Sequence, residues 1–173
     1  MVKLLYSLIL LSSIVFSNHT YSKCGFATTR ANCGRPVTDT YYESQTGHFW
    51  IHYDNPDSDH APPQSNSNSN NIPDFVEEVA IAAENVRNII INQWGYTPEV
   101  GDEDGIYDIY LQNLGIEDYG INCQEEDDGP GTYVIIDNDF PSNEYFTSGL
   151  DAMRITVAHE FFHAIQQAYR PYS

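Results

Sequence analysis

The stretch TVAHEFFHAIQ, residues 156–166, sets two histidines four positions apart, with a glutamate directly after the first. On a helix, residues four apart share a face with their Cβ atoms about 5–6 Å from each other, so His159 and His163 reach one metal ion together. Glu160 is rotated by one position and addresses a water beside the ion rather than the ion itself. The neighbours Val157, Ala158, Phe161, Phe162, Ala164 and Ile165 are apolar, and Glu160 is the only acidic residue of the stretch. A buried helix carrying an uncompensated carboxylate and two imidazoles is costly, and a zinc ion compensates all three. The plainer alternative is a surface helix whose histidines make ordinary hydrogen bonds.

Working outward, this helix is expected from Ser148 to about Tyr169, with Ser148 or Asp151 as its cap and Pro171 beyond its end. Upstream, TYVIIDND and IYDIYLQNLG are rich in Tyr, Ile and Val and read as strands, each preceded by an acidic loop, QEEDDGPG and EVGDEDG. Residues 73–94 repeat Phe75, Val76, Val79, Ala82, Ala83, Val86, Ile89 and Ile90 at helical spacing, with Pro73 in the first turn and Gly95 just past the end. GHFWIHYD, residues 47–54, alternates as a strand does. Residues 23–47 read as an irregular lead-in, rich in Gly, Pro, Thr and Ser. The fold class is therefore α+β: a mixed sheet from strands near residues 48–53, 106–113 and 132–138, packed against two long helices.

His48 and His52 are also four apart, but on a strand that spacing separates them by about 13 Å, too far for one ion. A structural or solvent-facing role is expected for both.

The zinc class narrows by exclusion. The metzincin continuation requires glycine at 166 and histidine at 169, where this chain has Gln166 and Tyr169; the inverted H-x-x-E-H order is also missing. What remains is a third ligand, typically glutamate, from a following helix. After His163 the sequence reads AIQQAYRPYS, with no acid, so the expectation is a chain truncated before that ligand. The combination SQTGHFWIHYD, NIPDFVEEVA, YDIYLQNLG, TYVIIDNDF and DAMRITVAHEFFHAIQQAY, across residues 47–169, resembles the N-terminal part of a family of secreted bacterial zinc metalloproteases of gluzincin type. The resemblance implies a zincin-like catalytic domain of which residues 48–173 are the N-terminal part. It implies zinc on His159 and His163, Glu160 as the base, and a glutamate on a later helix completing the site. The expected activity is peptide-bond hydrolysis through a zinc-bound water, on protein or peptide substrates. TYVIID, if it lies at a sheet edge, would pair with an extended substrate.

A second constellation precedes the first helix. Set against the calcium loop D-x-[DN]-x-[DN]-G-x₅-E, NSNSNNIPDFVE places Asn66, Asn68 and Asn70 at positions 1, 3 and 5, and Asn71 at the glycine position. Ile72 then offers a carbonyl, Asp74 falls at position 9 and Glu77 at 12. A solvated low-complexity linker is the competing reading. This loop and the acidic runs also support an alternative function, an exported calcium-dependent binding or adhesion module with a remnant zinc motif.

The opening residues MVKLLYSLILLSSIVFSNHTYS read as a signal peptide, 1–22, cleaved after Ser17 or Ser22, with an uncleaved anchor as the other reading. No later run is long enough to span a bilayer, and a secreted, extracellular location follows. Removing that segment takes one lysine and no acid, leaving six basic residues against 25 acidic ones, a net charge of −19. Nucleic acid is thus not an expected partner. Cys24, Cys33 and Cys123 allow at most one internal bridge; Cys24 to Cys33 is the local option, with the pairing left open.

Overall fold

The computed structural model describes residues 33–101, 104–115, 118–125, 131–144 and 146–170. The expected signal peptide, Cys24, Pro171 and most of the second acidic run lie outside these. In chain order the elements are β1 (Thr40–Glu43), β2 (Phe49–Tyr53), α1 (Asp74–Arg87), a π-helical segment (Asn88–Gln93), β3 (Tyr107–Gln112), β4 (Gly120–Gln124), β5 (Thr132–Asp137) and α2 (Gly149–Ala168).

The strands form one five-stranded mixed sheet in the order β1-β2-β3-β5-β4. β2, β3 and β5 run parallel at its centre, while β1 and β4 close the two edges antiparallel. β3 and β5 are buried along almost their whole length, as strands covered on both faces should be. β2 alternates: Phe49, Ile51 and Tyr53 face the helices, and Trp50 and His52 face away.

Both helices pack on one face. Val76, Val79 and Ala83 of α1 and Met153, Val157, Phe161 and Ile165 of α2 share a core with Ile51, Ile109, Leu111, Val134 and Ile136. The helix beginning at Asp74 directly follows Pro73, whose fixed φ and missing N–H suit that position. Its expected end near Trp94 is kept, but the final turns are π-helical, with Trp94 N–H donating to Ile89 O across the run Ile89, Ile90, Ile91. Gly95, at φ +77°, then turns the chain where a side chain would be strained. Ser148 occupies the N-cap position of α2 without a hydroxyl capping bond, and Asp151 lies in the first turn.

The opposite face holds a smaller cluster, Tyr110, Cys123, Tyr133 and Ile135, against which Cys33, Leu114 and Ile121 pack. Residues 33–38 are held there by a Cys33–Cys123 disulfide, which corrects the local Cys24–Cys33 option. Arg35 adds ion pairs to Asp108 and Glu125, and His52 Nε2 meets the other oxygen of Asp108 at 2.6 Å. A buried carboxylate on a central strand is tolerable only with such partners.

Three further expectations need correction. The lead-in is not irregular throughout, because residues 40–43 form β1 on β2. The segment between the two acidic runs contains β4, a strand whose composition gave no signal. β5 is paired on both sides, by β3 and by β4, so Val134 to Ile136 cannot accept an added strand; the edge on that side of the sheet is β4.

Candidate metal centre

α2 places its residues by helical period against the sheet. Val157, Phe161, Ala164 and Ile165 are buried in the core, and His159 and His163 lie on the outward side. The two imidazoles converge: His159 Nε2 and His163 Nε2 are 3.2 Å apart. Two nitrogens each about 2.05 Å from one tetrahedral ion stand about 3.3 Å from each other, so this pair is spaced as zinc ligands are. His163 Nδ1 is 2.8 Å from Gln166 Oε1. With Nδ1–H donating there, the Nε2 lone pair is left for a ligand. Burial, and then the neighbouring charge of His163, lower the pKa of His159, which favours the neutral form that binds metals.

Glu160, about 100° on from His159 around the helix, packs against the edge strand β4 and is only 2% exposed. Among the described residues its Oε2 has no hydrogen-bond partner. Burial pushes its carboxyl up to about 7, with a backbone hydrogen bond from Asn122 pulling down and the charge of Asp118 pushing up. A carboxyl poised near neutrality can take and give a proton at working pH. Structural ion-pair networks perturb carboxyls as well, but here no pairing cation among the described residues offsets the burial.

The helix sits unusually close to β4. A Cβ added at Gly120 would lie 2.7 Å from Thr156 Cγ2 and 2.9 Å from Glu160 Cγ. Only a residue without a side chain permits that approach. An apolar groove of 370 Å³, lined by Val86, Ile89, Ile90, Trp94, Ala158 and Phe162, borders the histidine side of α2. Among the described residues no group of three His, Cys, Asp or Glu side chains is placed to hold an ion.

The asparagine loop is separate, at the start of α1. Asn70 N–H donates to Asn66 Oδ1 at 3.2 Å and to Asn68 Oδ1 at 3.1 Å, and Ile72 N–H donates to Asn70 Oδ1 at 2.9 Å. Asn71, at the expected glycine position, has φ +67°. Glu77 is drawn back over the loop, its two oxygens 3.0 and 2.9 Å from the amides of Asn68 and Asn70. Asp74 instead accepts from Ser65 and Ser67. His48 pairs with Glu84 at 2.9 Å and His52 with Asp108, as side chains with structural partners do.

Gln166, Asn122 and Gly120 were not singled out from the sequence. Gln166 follows His163 by three positions and was within reach of helical-wheel reasoning; nothing local to Gly120 or Asn122 marks their place beside Glu160.

Comparison with protein-family models, with curated proteins and with solved structures finds no match to this chain. Among the described residues no helix is long and apolar enough to cross a membrane.

Proposed function

We propose that this chain is the N-terminal part of a zincin-like catalytic domain from a secreted, zinc-dependent endopeptidase of gluzincin type. The observation that carries the reading is the convergence of His159 and His163 at 3.2 Å, one helical position from a buried carboxyl raised to about 7. His159 and His163 hold the zinc, and a third ligand comes from outside the described residues. When bound, the zinc polarises the scissile carbonyl and acidifies water.

This chain's own groups do the rest. Glu160 accepts the proton of the attacking water at its carboxylate and delivers it to the leaving amine. Gln166 holds His163 in the tautomer that keeps Nε2 basic. β4, as the free edge beside Glu160, pairs with the extended substrate through main-chain hydrogen bonds. The groove beside Phe162 favours an apolar substrate side chain.

The Asn66 to Glu77 loop is a calcium site in the same reading, with Asn66, Asn68, Asn70, Asp74, Glu77 and the Ile72 carbonyl as ligands. Its support is the set of turn hydrogen bonds that orders the three asparagine oxygens, together with the left-handed Asn71. This loop also favours the second reading, a calcium-dependent binding module. The two separate on zinc and catalysis.

The test is to purify the secreted protein and its Glu160→Gln variant and to measure zinc content and casein cleavage on both. Zinc in both with cleavage only by the wild type is the expected result. Zinc in neither, or cleavage that survives the substitution, overturns the peptidase reading.

A further inference from the structure

Glu160 is held from the edge strand by one residue. Asn122 lies two positions after Gly120 on β4, so both face α2. The Asn122 side-chain amide stands 3.2 Å from the Glu160 carbonyl oxygen and 3.2 Å from Tyr107 Oη. A single strand residue therefore holds the main chain of the motif glutamate from the side of the sheet.

The grip itself is anchored. Tyr107 Oη and Thr132 Oγ1 are 2.7 Å apart and belong to residues 1% exposed on the adjacent strands β3 and β5. The Asn122 amide joins this pair on one side and the helix on the other. Next to it, the contact at Gly120 sets the depth at which α2 meets the strand. A mid-helix carbonyl, already the acceptor of an i+4 bond, takes an extra donor only where the packing brings one to it.

We propose that Asn122 is a positioning residue for Glu160, fixing the height and rotation of the active-site helix so that the carboxylate keeps one orientation toward the reacting water. The inference rests on the peptidase reading for its purpose, though not for its geometry. It separates Asn122 from an ordinary stabilising contact, because its loss acts on the chemical step. A carboxylate displaced by a fraction of its bond length to the substrate loses alignment, and misplacements of about 1 Å cost on the order of 100-fold in rate.

The experiment uses the purified secreted protein, with Asn122→Leu, which keeps the volume but removes the amide. Val79→Ala, a core truncation on α1, serves as a control for destabilisation alone. Zinc content, melting temperature, kcat and KM are measured for all three. Asn122→Leu is expected to retain zinc and KM and to lose kcat on the order of 100-fold, whereas the control lowers the melting temperature with kcat retained. Equal kcat in Asn122→Leu and the control overturns the proposal.

A second measurement covers the case in which Asn122→Leu does not fold. The side-chain amide protons of Asn122 are followed by NMR hydrogen exchange in the wild type. Protons bonded to the Glu160 carbonyl and Tyr107 Oη should exchange slowly; exchange at the rate of a free amide overturns the contact. A wild type without zinc or cleavage sinks the peptidase reading, while the exchange rate still decides whether Asn122 holds Glu160.

Discussion

At the scale of the residue, Glu160 is a group that folding penalises. It is 2% exposed, with one oxygen lacking any hydrogen-bond partner among the described residues. The folded chain holds its proton to about pH 7, while the unfolded chain releases it near the ordinary glutamate value of about 4.3. Between those values the folded state binds more protons, so stability falls as pH rises through the window and levels off above it. A glutamine at this position does not titrate. In metal-free protein, Glu160→Gln is therefore expected to be more stable than the wild type at pH 8, by about 3 kcal/mol for a shift of this size. The two should nearly coincide at pH 4. Urea unfolding at both pH values measures this, and a gap that does not grow with pH contradicts the buried carboxyl. His159, Glu160 and His163 were legible in the sequence because helical period alone decides which of them share a face. The environment of Glu160 was not, since the residues that bury it come from a strand about forty positions upstream.

At the scale of the element, the contact between β4 and α2 defines the site. Gly120→Ala puts a methyl group 2.7 Å from Thr156 Cγ2 and 3.2 Å from the carbonyl oxygen of Ile135. The carbonyl cannot yield, so a loss of about 1–3 kcal/mol is expected. Thr156→Ser, which removes the nearest methyl, should recover part of it. Thermal unfolding of the single and double variants checks this; additive losses would mean that the strand and helix do not meet as described. This interface was hidden from sequence reasoning because Gly-Ile-Asn-Cys-Gln carries little β propensity. β1 was hidden likewise, in a polar lead-in. The two central strands were plain from their apolar runs, yet that same burial is why β5 could not be the edge.

The loop before α1 makes an elemental prediction of its own. With two carboxylates and three neutral asparagines among the ligands proposed for it, its calcium affinity would belong in the range of extracellular modules, about 1 mM. At 10 mM calcium the folded state should gain about 1.4 kcal/mol. The gain should vanish in Asn66→Ala/Asn70→Ala. A melting temperature that magnesium raises equally, or that calcium leaves unchanged, contradicts the site.

At the scale of the whole molecule, one long-range bond ties the lead-in to the edge strand. Cys33 and Cys123 are 90 positions apart, and closing a loop of that length restricts the unfolded chain by about 4–5 kcal/mol in the chain-entropy account. Cys33→Ser/Cys123→Ser should lower the urea midpoint accordingly, and reductant should do the same to the wild type. Insensitivity to both would refute the bridge. No local rule could have chosen this pairing, because it depends on where β4 lies in the sheet. The partners of Asp108 were equally illegible, as Arg35 stands 73 positions before it. What the sequence did make legible was the class: an acidic α+β chain with a mixed sheet and two helices.

The central claim is that His159 and His163 hold one zinc ion between them. The most direct measurement is zinc stoichiometry on the purified protein and on four single variants, His159→Ala, His163→Ala, His48→Ala and His52→Ala. One zinc per chain is expected in the wild type, lost in the first two variants and kept in the last two. A wild type that holds no zinc, or one whose zinc survives the loss of His159 and of His163, contradicts the account.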